Sequence, residues 1–297
     1  MHQVLNINKR FYIATSFFIF FTCMSSCHLF ESKPAKIDRL LSRGNKIVTT
    51  NPKETEPLAV YDTAFDAFYQ VYQIDSSNCD ALLGCSVSAY HLGKYDTSYR
   101  FADKALAIFP SNDGYYLRGA CNFILGNFER SERDMDEYLK ADTTSSRAAI
   151  IYLHKGQASR YLGNFNSAMQ SYNKAIQMDS SEVEMFNNRG ELFYTMDNMD
   201  QAYNDFKKAI SLDSNSAFAL HGMGGLLITI HQSIDGLVYV NKAIEREPKN
   251  GTFYRSKGYG YYNLHKIDSF CVYLHIAADL GDKDALPDIE TYCKKDR

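Results

Sequence analysis

His91, His154 and His221 would matter most if folding brought them together, because a neutral imidazole ligates metals and carries protons near physiological pH. None of the three has a carboxylate or a second histidine at ligand spacing, so no metal site is expected. The chain also lacks His-Glu-x-x-His, Gly-x-Ser-x-Gly and a phosphate-cradling Gly-x-x-x-x-Gly-Lys-Ser/Thr. Gly222-Met223-Gly224-Gly225 and Gly258-Tyr259-Gly260 look like glycine loops but fall inside helical patterns, where close packing explains them. Dispersed Asp and Glu leave an acid–base enzyme as an alternative to which nothing points. No catalytic, cofactor-binding or metal-binding set emerges, and the chain does not read as an enzyme.

The cysteines carry a second chemical option. Cys23 and Cys27 stand near the N-terminus, leaving Cys79, Cys85, Cys121, Cys271 and Cys293, which are scattered and form no Cys-x-x-Cys pair. They read as small buried apolar side chains. One bridge brought together by folding stays open if the chain is exported.

What positions all these residues is a repeat. Gly44, Ser86, Gly119, Gly156, Gly190, Gly224 and Gly258 recur at near-regular distance, and the gaps from Gly119 onward are 37, 34, 34 and 34 residues. Twelve residues after Gly190 comes Ala202, then Phe206 and Ala209; after Gly156 come Ala168, Tyr172 and Ala175. Alanines seven apart lie two turns along one face, so the spacing predicts antiparallel helix pairs whose backbones approach at small residues. Phe270 and Tyr138 are too bulky for that rule and suggest looser pairs. Between pairs stand Ile74-Asp75-Ser76-Ser77-Asn78, Phe109-Pro110-Ser111-Asn112, Leu212-Asp213-Ser214-Asn215 and Glu247-Pro248-Lys249-Asn250, where proline stops a helix and Asp, Ser or Asn caps the next.

These segments resemble tetratricopeptide repeats, in which a small residue is followed by Ala-x-x-x-aromatic, then Ala, then Pro. Ala202-Tyr203-Asn204-Asp205-Phe206 matches best, and Gly163-Asn164-Phe165 and Gly126-Asn127-Phe128 suit the turn within a pair. Seven copies begin near residues 37, 79, 112, 149, 183, 217 and 251. The chain departs from the family in having no Trp, with Tyr115, Tyr152, Phe186 and Tyr254 in its slot. Arg43, Arg118, Lys155, Arg189 and Lys257 stand before the glycine where Leu is usual, and the first copy carries roughly eight extra residues at Thr50 to Pro57. The resemblance implies an all-α, right-handed superhelical solenoid over 37–282, with a capping helix in 283–297. In that cap Leu286, Ile289 and Cys293 would cover the core, and Pro287 would sit in the first turn of a helix running from Asp284 to Lys294.

The resemblance also implies a concave groove lined by the first helices. The positions three before, one after and four after each glycine give Tyr116, Ala120 and Phe123, then Leu153, Gln157 and Arg160. Later copies give Asn187, Glu191 and Tyr194, then His221, Gly225 and Ile228, then Arg255, Tyr259 and Tyr262. Rings among amides suit an extended peptide; equally, several of these residues could simply pack against neighbouring helices. Asn187 with Arg160 or Arg255 supplies the residue types of the family's carboxylate clamp, but not in its order.

At the N-terminus Lys9-Arg10 precedes an apolar run from Phe11 to Phe21, too short to span a membrane and suited to an export signal. Met24-Ser25-Ser26-Cys27 then resembles a bacterial lipoprotein signal, which implies cleavage after residue 26, lipidation at Cys27 and a short tether over 27–36. An ordinary cleaved signal or an uncleaved anchor are the alternatives. Residues 1–26 hold Lys9 and Arg10 and no acid, leaving 30 basic against 35 acidic residues, net −5. With no basic tract, nucleic-acid binding is not expected. The expectation is a lipid-anchored scaffold of a bacterial cell envelope, on the outer membrane or periplasmic face, that binds a protein or peptide. A glycan- or peptidoglycan-binding receptor is the alternative, since aromatic rings also suit sugar faces.

Overall fold

The computed structural model describes residues 35–49 and 57–293. The chain is all-helical, with no strand among the described residues, and divides after Gly163 into two compact units. In the first, α1 (Ala35–Thr49) pairs with α2 (Pro57–Ile74), α3 (Cys79–His91) with α4 (Tyr95–Ile108), and α5 (Asn112–Ile124) with α6 (Phe128–Ala141). The last helix of that unit, α7 (Ser146–Tyr161), packs on α6 and touches α5. The second unit starts with α8 (Phe165–Met178), which packs on α9 (Val183–Thr195). There α9 pairs with α10 (Met199–Leu212), α11 (Ala217–Thr229) with α12 (Ser233–Arg246), and α13 (Gly251–Asn263) with α14 (Ile267–Asp279). A 3-10 turn (Lys283–Ala285) and α15 (Leu286–Tyr292) follow. Within each unit the first helices of successive pairs also touch, α3 with α5 and α9 with α11 with α13.

Two kinds of turn build this order. Inside a pair, one residue just past the first helix is left-handed, and the next amide reaches back five residues to a carbonyl, as Asn127 N–H does to Asn122 O at 2.8 Å. Glycine fills the left-handed position at Gly93, Gly126 and Gly163, but Asp197, His231 and His265 fill it in the later pairs, with φ near 60°. Between pairs the last residue of the second helix is followed by extended backbone and a side-chain cap. Asn78 accepts from Ala81 N–H, Ser111 from Gly114 N–H and Ser216 from Ala219 N–H, whereas Glu182 and Asn250 make no side-chain cap bond.

The small residues do what their spacing requires. All of Gly44, Ser86, Gly119, Gly156, Gly190, Gly224 and Gly258 lie on first helices. A side-chain carbon built on Gly224 would stand 2.9 Å from the carbonyl oxygen of Gly236, so the backbones of α11 and α12 meet there. On α3 the place is taken by Ser86, whose hydroxyl donates to Ser98 O at 2.9 Å on α4. Large rings fill the remaining depth. Phe206 on α10 is 1% exposed, and built carbons on Gly190 and Gly222 would stand 2.9 and 2.4 Å from its ring. Phe68 is seated the same way, against Gly44 and Gly84. Each ring therefore wedges between its own first helix and the next one. The looser packing expected at Phe270 holds, since a carbon on Gly258 would meet that ring only at 3.4 Å. It does not hold at Tyr138, because a carbon built on Gly119 in that pair would stand only 2.6 Å from Met135 Cε.

Two further expectations need correction. Cys271 and Cys293 form a disulfide, so only Cys79, Cys85 and Cys121 are the buried apolar thiols that their scatter suggested. The segment after Asp282 is a 3-10 turn leading into a short helix, and that turn puts Ala285 inside while Leu286 stays 48% exposed. Ile289 and Cys293 do pack on the core of Phe270, Leu274 and Ala277, and Pro287 lies in the first turn of α15. Cys27, the export signal and most of the tether lie outside the described residues, as do residues 50–56 of the extra stretch in the first copy, whose last residue, Pro57, opens α2.

Candidate functional site

Three of the basic residues standing before the glycines, Arg118, Arg189 and Lys257, tie helices together. Arg118 on α5 donates through Nε and Nη2 to the Asp134 carboxylate on α6, the shorter bond being 2.6 Å, and through Nη1 to Asp103 on α4 at 2.7 Å. Arg189 on α9 repeats this with Asp205 on α10, at 2.7 and 2.8 Å, and with Asn173 on α8 at 2.7 Å. Each guanidinium thus fastens three helices through a planar fork that lysine could not supply. Lys257 instead lies 4.5 Å over the ring of Tyr273, which stands sixteen residues on, as Asp134 and Asp205 do from their arginines. Acid recurring sixteen residues after the odd arginine was a signal that sequence reading passed over.

In the first unit the candidate groove residues turn toward neighbouring helices. Tyr116, Ala120, Phe123, Leu153 and Gln157 are buried. Phe123 meets Phe128 and Tyr161 edge-on, Tyr116 lies beside the His154 ring, and Gln157 Oε1 is 3.1 Å from His154 Nδ1. Arg160 lies over the Tyr161 ring, 5.0 Å from its centroid.

The second unit keeps more of the face open. On α9, Asn187 is buried and donates through Nδ2 to Glu191 at 3.3 Å, while its Oδ1 meets no protein donor. Tyr194, 37% exposed, shares a 2.7 Å hydrogen bond with Thr229 of α11. His221 on α11 stacks on Phe253 and is 2.8 Å from Ser256 Oγ on α13, and Asn263 of α13 donates to the Ile228 carbonyl. Between His221 and Ile228, Gly225 faces open space, with nothing within 4 Å of a built side-chain carbon. The glycine cluster on α11 therefore has three separate jobs: Gly222 seats a ring, Gly224 admits a backbone and Gly225 leaves room.

On α13 all three candidates are engaged by the chain's own C-terminal segment. Arg255 pairs with Asp282 at 2.7 Å and with Asp284 at 3.5 Å. The Tyr259 hydroxyl donates to Asp288, and Tyr262 meets the Tyr292 ring at 5.7 Å. Arg255 is thus tied into the cap.

The three histidines keep separate company. His91 stacks on Tyr61 with centroids 4.2 Å apart, and burial holds its imidazole down to about 4. Burial, and then Arg255, hold His221 down to about 4 as well. Burial also lowers His154. Among the described residues no group of three His, Cys, Asp or Glu could hold a metal. One carboxyl is displaced upward: burial raises Asp113 to about 6 although Arg147 stands 2.8 Å away.

Residues 156–197 and 183–216 match tetratricopeptide-repeat families. Residues 156–216 carry tetratricopeptide repeats. Solved repeat structures share the fold at low identity. A tetratricopeptide repeat protein from Parabacteroides merdae aligns over 88% of this chain and 100% of its own, with TM-score 0.71 and 14% identity. The APC/C hetero-tetramer Cut9–Hcn1 aligns over 87% of this chain, with TM-score 0.67 and 14% identity, and this chain spans about half (53%) of it. Yeast Tom70 aligns over 90% of this chain and 66% of its own, with TM-score 0.52 and 16% identity. No curated protein matches by sequence. Among the described residues no helix is long and apolar enough to cross a membrane.

Proposed function

We propose that the repeats of residues 164–297 bind an extended peptide along the first-helix face of α9 and α11, making the chain a protein-interaction scaffold. The observation that carries this reading is the pairing of a buried, unmet acceptor at Asn187 with bare backbone at Gly225 on adjacent helices. A buried acceptor without a donor costs about 1–3 kcal/mol, and turning the Asn187 amide outward to accept a peptide N–H would relieve it. Open space at Gly225 lets another main chain approach, and the Tyr194 ring offers an apolar anchor with a polar tip. Double replacement of Asn187 and Tyr194 by Ala should abolish capture of the partner from crosslinked membranes without loss of helicity by circular dichroism. Unchanged capture would move the site elsewhere.

The scaffold is placed at a bacterial cell envelope and tethered by lipid at Cys27. Two features support that location: the basic and apolar N-terminal stretch ending at Cys27, and a disulfide, which persists in oxidising compartments. Palmitate should label the wild type and spare Cys27→Ala.

A further inference from the structure

The last repeat presents the same face as α9 and α11, yet it is covered by the chain itself. Arg255, Tyr259 and Tyr262 are each met by one part of residues 282–292, and Cys293 is bonded to Cys271 on α14. The two ends of this covering segment are held very differently. Asp282 is 4% exposed, binds Arg255 and caps the 3-10 turn through Asp284 N–H, and Ala285 is fully buried. The helix that follows has no buried residue. Leu286 and Tyr292 are 48% and 47% exposed, and what holds α15 is the Tyr259–Asp288 bond, the Tyr292 ring, the side chain of Ile289 and the disulfide. A helix of seven residues has no stability of its own in water. Its place therefore depends on the covalent link.

We propose that Cys271–Cys293 is a latch: when a dithiol reduces it, α15 swings out about Asp282 and uncovers Tyr259 and Tyr262 as an extension of the binding face. The exchange balances as two thiolate attacks. The first forms a mixed disulfide with one cysteine and releases the other as a thiol, and the second returns the protein dithiol and leaves the reductant oxidised. Arg255 stays paired with Asp282, so what the opening adds is aromatic surface and one phenol. This regulation rests on the peptide-binding reading of the same face, but its test does not.

Hydrogen exchange on the full chain, oxidised and after reduction, reads the latch with no partner present. Reduction should lower protection of the amides of 288–292 on the order of 100-fold, while α9 to α14 keep theirs. Cys293→Ser without reductant should reproduce this, and iodoacetamide should then label Cys271 while Cys79, Cys85 and Cys121 stay unlabelled. Unchanged protection in α15 after reduction would overturn the proposal. Loss of protection spreading through α9 to α14 would equally overturn it, since the bridge would then be a staple of the whole unit. Failure of the latch leaves the Asn187 and Tyr194 experiment untouched.

Discussion

At Arg189 the chain departs from the leucine usual in its repeats, and the departure can be weighed. Asp205 is 6% exposed and takes both forks of that guanidinium. Arg189→Met would leave a buried carboxylate without its cation, at a cost of about 3 kcal/mol, whereas Arg189→Met with Asp205→Leu should fall within about 1 kcal/mol of the parent. Urea unfolding of the cycle checks both; a cheap single variant would mean that the pair is solvated. Titration makes a second prediction. His91 and His221 have folded values near 4 against an ordinary 6.5, so the folded state binds fewer protons than the unfolded chain. Their contribution is present above pH 6.5 and drains away as pH falls toward 4, by roughly 3 kcal/mol each at most. Asp113, raised to about 6, runs the other way, and its contribution is lost as pH rises from 4 to 6. Calorimetric melts at pH 7.5 and 4.5 should show a falling midpoint, and His91→Phe, which keeps a ring on Tyr61, should reduce the fall. An unchanged slope in that variant would assign the acid sensitivity elsewhere.

Among elements, the turns inside pairs offer the cleanest test. Asp197, His231 and His265 hold the left-handed conformation that Gly93, Gly126 and Gly163 adopt without strain. His231→Gly should raise stability by about 1 kcal/mol, read as a higher melting midpoint; a lower one would show that the imidazole makes a compensating contact. The turns at Gly126 and Gly163 were legible beforehand because helix ends are written locally, whereas nothing in the sequence marked Asp197, His231 or His265 as left-handed. Ser111 sits where a cap must accept, and helix pairs follow from alanines at seven-residue spacing. Facing is harder. Residues three before, one after and four after a glycine lie on one side of the helix, whether that side meets solvent or the next first helix. Tyr116 and Phe123 turned out to do the latter, and Tyr194 does some of each. The disulfide was illegible for a related reason: Cys293 reaches Cys271 only because a 3-10 turn folds the segment back onto α14.

For the whole chain, the question is how a repeat array ends. Phe270, Leu274 and Ala277 form a core with Ala285 supplied from beyond the last pair. Deleting residues 283–297 uncovers it, so the truncated protein should self-associate, seen by light scattering after size exclusion. A monomeric truncation of equal stability would show that the segment is dispensable.

Gly225 offers a practical handle. Because no atom outside its own stretch of helix stands within 4 Å of a side chain begun there, a bulky residue such as Gly225→Trp can be installed mid-helix with its neighbours undisturbed. Such a variant should keep its fold yet shut out any chain that would lie along that backbone, separating occupancy from folding in one substitution.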